Sequence, residues 1–165
     1  MVVNAIFIKN TLGSIMVNGR EANMLYHLLY ISDFKDDGTY DMDAIVQSSK
    51  VYNKNHHITG ALWFDGTTFV QMLEGGRAAL SAVLGRIMRS DVHQNFEIVF
   101  FEPAPERIFS DWSMAYYHAS KDEIDVVKKF SVGEGFSPRT MSASSLITFM
   151  RYLEMARHVS AVNSI

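Results

Sequence analysis

No cysteine occurs in this chain of 165 residues. That single absence excludes disulfide scaffolds, thiolate nucleophiles, Cys-ligated zinc, iron–sulfur clusters and any photochemistry or cofactor attachment that runs through a protein thiol. It also agrees with a reducing, cytoplasmic setting. Lys and Arg number 15 against 18 Asp and Glu, a formal net charge of −3. With no Lys/Arg run, the charge balance offers no electrostatic grip on nucleic acid or on a membrane surface. No apolar run approaches the roughly 18 residues that a bilayer span requires. The first 23 residues lack the basic segment, continuous apolar stretch and small-residue cleavage site of a secretory signal. Nucleophilic-serine motifs of the G-x-S-x-G type are missing, and no glycine-rich phosphate loop follows a strand-like run. The composition, 48% hydrophobic and 20% charged, suits one globular domain with a sizeable core and a short appendage.

The patterns that are present alternate along the chain. Met24 to Ser32 reads as a buried strand, ended by turn chemistry over 34–39. Asp41 or Asp43 can cap a helix running to about Asn55. Ile58 to Phe64 and Thr68 to Glu74 form two strands around Asp65-Gly66, a strong hairpin signal. Arg77 to Arg89 is a second helix, Phe96 to Phe101 a central strand, Glu102 to Ser110 a loop and Trp112 to His118 a further strand. This order predicts an α+β, ferredoxin-like sandwich, a mixed sheet with two helices on one face. Helices over 122–130 and 144–159 then form a C-terminal helical cap, the second with Leu146, Met150, Leu153 and Ala156 along one stripe.

A polar residue interrupts this scheme. Phe69, Gln71 and Leu73 share one strand face by the period of two, so the Gln71 amide points into a core. Left unpaired there it would cost about 1–3 kcal/mol, so it needs a polar partner or a ligand. The same period puts Tyr30 on a face with Leu28, and Trp112 on a face with Met114. Ile45, Ser49 and Asn53 recur every four residues on the first helix; Arg86, Ser90 and His93 follow by four and three. If these faces meet, they line a slot between two helices over the sheet, with apolar walls and a few amide, phenol and imidazole groups, suited to a planar heteroaromatic ligand. Trp63 is expected near that slot. His56-His57 makes a poor metal site, since adjacent strand residues point to opposite faces and no carboxylate recurs at ligand spacing.

In chain order stand LLYIS ending at Ser32, N-x4-ITGAL beginning at Asn53, F-x-Q-x-LEG beginning at Phe69, His93 shortly after the second helix, and W-x-M at Trp112 and Met114. On these five points the chain resembles the BLUF family of flavin-using blue-light sensors, from about Met24 to Ser120. The resemblance implies a non-enzymatic photoreceptor domain over 24–120, with Tyr30 and Gln71 as the photoactive pair. It further implies that Ile45, Ser49, Asn53, Arg86 and His93 join them around a non-covalently bound flavin, and that Trp112 and Met114 relay the change. FAD is favoured among flavins. Val92 and Ser90 depart from the basic and acidic residues that often precede the His in this family, which leaves FMN and riboflavin open. No cysteine adduct is required, so the implied product is the same oxidised flavin with altered hydrogen bonds and a small red shift. The tail over 121–165, with GFSPRTM ahead of an amphipathic helix, looks like the cap of short, stand-alone members that assemble as oligomers and signal through a partner protein. Residues 1–23 lie outside the resemblance, as an upstream extension, an expression remnant or a regulatory arm. The competing readings are a small ferredoxin-like enzyme, of monooxygenase or acylphosphatase type, and a colourless ligand-binding or dimerisation module.

Overall fold

The computed structural model describes residues 24–35, 38–118, 124–131 and 135–162; the N-terminal segment 1–23 lies outside them. The elements run β1 (Leu25–Phe34), α1 (Met42–Asn55), β2 (Thr59–Phe64), β3 (Thr68–Gly76), α2 (Arg77–Met88), β4 (His93–Pro103), β5 (Ala115–His118), α3 (Ile124–Phe130), a 3₁₀ turn (Pro138–Thr140) and α4 (Ala143–Val162). The five strands form one mixed sheet in the order β4-β1-β3-β2-β5. All pairings are antiparallel except β2 with β5, which is parallel. This is the expected α+β, ferredoxin-like arrangement, extended at one edge by β5.

Local chemistry sets several boundaries. The Asp41 carboxylate accepts from the Asp43 and Ala44 amides and so caps α1. Between β2 and β3, the Asp65 carboxylate accepts from the Thr67 and Thr68 amides, while Gly66 takes a φ of 99° that a side chain would resist. β4 begins at His93, three residues earlier than its apolar run, because pairing with β1 continues through a register shift at Asn95, whose φ is 51°.

The two sheet faces carry separate cores. Leu28 of β1, Leu62 and Phe64 of β2, and Phe69 and Leu73 of β3 pack with Val46 of α1 and with Leu80 and Val83 of α2. On the other face, Leu29, Ile31, Ala61, Trp63, Val70 and Met72 meet Leu146, Phe149, Met150 and Leu153 of α4. The apolar stripe of α4 is therefore spent on the sheet. Each of these four buried side chains contributes about 1.5–3 kcal/mol of transfer free energy before ordering costs, so α4 is part of the fold and not a loose tail.

Glu74, at 0% exposure, ties a long loop to the end of the central strand β3. Its carboxylate accepts from the Ile108 amide at 2.6 Å, the Phe109 amide at 3.1 Å and the Thr59 hydroxyl at 2.7 Å, with His27 Nε2 at 3.2 Å. Burial alone would raise its pKa, but together these hydrogen bonds prevail and hold the carboxyl below its ordinary value. Its role is to position the 107–109 loop, from which the chain enters the segment before β5.

The glycine of the ITGAL motif has a steric cause. A Cβ on Gly60 would overlap the main-chain carbonyl oxygen of Met72 on the paired strand, which cannot yield as a side chain would. Gly60→Ala should therefore destabilise the fold by about 1–3 kcal/mol, read as a lowered urea midpoint at unchanged m-value; an unaltered midpoint would show that the strands separate freely there.

Candidate functional site

Strand register creates the central pair. Tyr30 on β1 and Gln71 on β3 are direct cross-strand partners, so their side chains rise together on the face covered by α1 and α2. The Tyr30 hydroxyl donates to Gln71 Oε1. Gln71 Nε2 in turn donates to Met114 Sδ at 3.3 Å. Tyr30 is fully buried, and that burial pushes its phenol well above the ordinary value, so it remains protonated and neutral at physiological pH.

Above Gln71 lies a cavity of about 200 Å³ between α1 and α2. Ile45, Ser48, Ser49, Tyr52 and Asn53 of α1 form one wall; Val83, Arg86 and Ile87 of α2 form the other; Ser90, Val92 and His93 close the end, with Gln71 and Met114 beneath. The sequence-derived set thus converges, apart from Trp112 and from Tyr30, which contacts the slot residue Gln71 through its hydroxyl. Asn53 does not cap α1, whose C-cap is His56. Its Nδ2 donates instead to the Ser113 carbonyl at 2.8 Å, fastening α1 to the segment ahead of β5. His93 is held by a 2.9 Å hydrogen bond between Nδ1 and Ser32 Oγ, and its ring lies against Phe69 with centroids 4.7 Å apart. Burial lowers its pKa to about 4, so the imidazole is neutral at pH 7. At the mouth, the Arg86 guanidinium sits 4.0 Å from the Tyr52 ring centre, and Tyr52 stacks on His56. Tyr52, three residues after Ser49, falls on the same side of α1, and its pairing with Arg86 needs the two helices side by side.

Two expectations require correction. Trp112 and Met114 do not share a face. β5 begins only at Ala115, and the Trp112 amide donates back to the Phe109 carbonyl in a turn, so the period of two does not extend to these residues. Met114 enters the slot, whereas the Trp112 indole crosses to the opposite core, where its Nε1 donates to Glu154 Oε1 of α4 at 3.0 Å. Trp63 likewise belongs to the α4 face, edge-on to Phe136 and Phe149, with the sheet between it and the slot.

A family model described as sensors of blue-light using FAD, BLUF, matches residues 25–115. The chain belongs to the BLUF family. Among curated proteins it is 28% identical over 115 residues to the blue light- and temperature-regulated antirepressor BluF of Escherichia coli (strain K12), a match covering 69% of this chain and 28% of that protein. The chain thus spans little more than a quarter of that relative's length. Among solved structures, the dark state of BlrB, a BLUF protein, aligns with a TM-score of 0.68 at 26% identity, covering 82% of this chain and 97% of that one. The photo-activated state of BlsA aligns with a TM-score of 0.70 at 24% identity, covering 79% and 94%, and supports the fold.

The family's cofactor is FAD, and the slot's donor set suits its ring. A carboxamide has two N–H donors and an acceptor oxygen with two lone pairs. Gln71 and Asn53 each use only part of that capacity within the protein, and Ile45, Val83, Ile87 and Val92 supply apolar walls for an aromatic plane. The Arg86 cation stands at the mouth of the slot. Among the described residues, no group of three or more His, Cys, Asp or Glu could hold a metal ion, and no helix is long and apolar enough to cross a membrane.

The depressed His93 pKa has a consequence for stability. Between its ordinary value near 6.5 and about 4 the unfolded chain takes up a proton that the folded chain refuses. Stability from this residue is therefore full above pH 6.5 and is lost as pH falls toward 4. The denaturation midpoint should fall between pH 6.5 and 5, above the range where Glu74 contributes, and His93→Gln should flatten that slope; an equal slope in both proteins would contradict the assignment.

Proposed function

We propose that this domain senses blue light through the Tyr30–Gln71 pair and passes the change to its C-terminal cap by way of Met114 and Trp112. The observation that carries the reading is the Gln71 amide, 4% exposed, with its oxygen taken by Tyr30 and its nitrogen by Met114 on the floor of the slot. Bound flavin supplies the blue-light absorption and an excited state that accepts an electron.

Tyr30 is the matching donor. A phenol that has given up an electron becomes strongly acidic, and its O–H already points at Gln71 Oε1, so the proton moves along that hydrogen bond. When electron and proton return to Tyr30, the amide can be left turned over or tautomerised. The two ends of the amide are not equivalent toward Met114. A thioether accepts a hydrogen bond and has no proton to give, so it pairs with Nε2 and has nothing to offer Oε1. Turning the amide therefore breaks the contact with Met114 and frees that side chain to move. A bond of this kind is worth about 0.5–1.5 kcal/mol net, whereas inverting a 1:99 equilibrium takes about 5.5 kcal/mol. Light on this reading biases the relay's population and does not drive a complete switch.

Ile45, Ser49, Asn53 and His93 position the ring, and Arg86 serves the ribityl or phosphate side. The output passes from the domain over 24–120 to the segment 121–165. Its exposed side chains on α4, Tyr152 and Met155, suit contact with a partner protein or a second copy. The antirepressor activity in the name of the Escherichia coli relative supports a regulatory partner. A cytoplasmic setting is supported by the lack of cysteine.

The test is an absorption spectrum of the FAD-loaded protein before and after blue light. A small, reversible red shift is expected, with Gln71→Leu and Tyr30→Phe each retaining the flavin and losing the shift. A flavin-loaded protein without a reversible shift, or a Gln71→Leu variant that keeps it, would overturn the reading.

A further inference from the structure

Glu154 is a carboxyl group placed among apolar neighbours. It lies on α4 beside Leu153, one turn after Met150, and is 8% exposed. A carboxyl is costly to bury unless its oxygens are satisfied. Both are: Trp112 Nε1 donates to Oε1 at 3.0 Å and the Tyr117 hydroxyl donates to Oε2 at 2.7 Å. These donors flank Met114 in sequence. The segment between them is pinned at its backbone, where Asn53 Nδ2 donates to the Ser113 carbonyl at 2.8 Å and the Gly60 amide donates to the Trp112 carbonyl at 3.1 Å. From this pinned point the two side chains go to opposite faces of the sheet, Met114 to Gln71 and Trp112 to Glu154.

A displacement of Met114 about the fixed Ser113 carbonyl thus reaches Trp112 at once, and the indole N–H is the one donor of its side chain. Another polar attachment of the cap lies on β1 and β4, where Arg139 pairs with Asp33 at 2.7 Å and with Glu97 at 2.5 Å.

We infer that Glu154 is the receiving residue for the signal on the cap. It is a positioning residue, whose carboxyl fastens α4 to the sheet while Trp112 donates to it and releases α4 when the Gln71–Met114 contact is lost. The inference rests on the role given to Gln71 above. It adds that the cap responds through one buried carboxyl, while the Arg139 anchor holds.

The experiment uses the full chain loaded with FAD and follows two readouts together: the flavin absorption and hydrogen exchange of the backbone over 143–156, in the dark and under continuous blue light. In the unsubstituted protein, exchange in α4 should be about three- to tenfold faster in light, the range expected for losing one hydrogen bond. Glu154→Leu should exchange at the faster rate already in the dark and gain nothing further in light, with the red shift unchanged, because Glu154 does not touch the slot. Glu154→Gln keeps an oxygen able to accept from the indole and should retain most of the light–dark difference. Should Glu154→Leu fail to fold, Glu154→Asp, one methylene short of Trp112, takes its place with the same expectation. A red shift in the unsubstituted protein with α4 exchange indifferent to light would overturn the inference and leave the photosensory reading standing. So would a light–dark difference that persists in Glu154→Leu or Glu154→Asp. Absence of the red shift from the unsubstituted protein would overturn both.

Discussion

A carboxamide on the buried face of a central strand must find partners, and this requirement organises the site. Gln71 cannot be left unpaired at small cost, and the β1–β3 register supplies Tyr30 directly opposite. With the amide oxygen taken, the nitrogen turns to Met114, which ties the last strand's approach to the same residue. The amide has an asymmetry: one end donates and the other accepts, so a neighbouring sulfur distinguishes its two orientations. An aliphatic residue of similar volume would fill the space and carry none.

The sheet separates the slot from the α4 core. On one face α1 and α2 stand apart enough to leave a slot, with Asn53 and Gln71 as its amides and His93 kept neutral by burial. On the other face α4 closes an apolar core over Trp63, Val70 and Met72. An electron donor on that second face, such as Trp63, is screened from the slot by the sheet itself. The segment 112–114 has side chains in both compartments, and it is anchored by Asn53 from one face and by Glu154 from the other.

Much of the fold was legible because its determinants are local. Asp41 caps α1, Asp65 and Gly66 make the hairpin, and apolar periodicities mark both helices over the sheet. The slot was legible for a related reason: Ile45, Ser49 and Asn53 fall on one helical face whatever that face meets, and Gln71 stands out as polar in an apolar strand. Family resemblance supplied what the slot holds. Reading failed where regular structure stops. Trp112 and Met114 look like alternate strand residues, but pairing starts after them, and a turn sends their side chains apart.

By itself, then, the sequence determined the elements, the helix faces and the isolation of one amide in an apolar strand, since propensity, periodicity and turn chemistry act over a few residues. Tertiary structure alone decided that Tyr30 meets Gln71, that Arg86 stacks on Tyr52, that Arg139 pairs with Asp33, and that Trp112 reaches Glu154. Those contacts join residues from 34 to 106 positions apart. Strand register and helix docking select them, and both are settled by burial of the two cores as wholes, which no local stretch of sequence encodes.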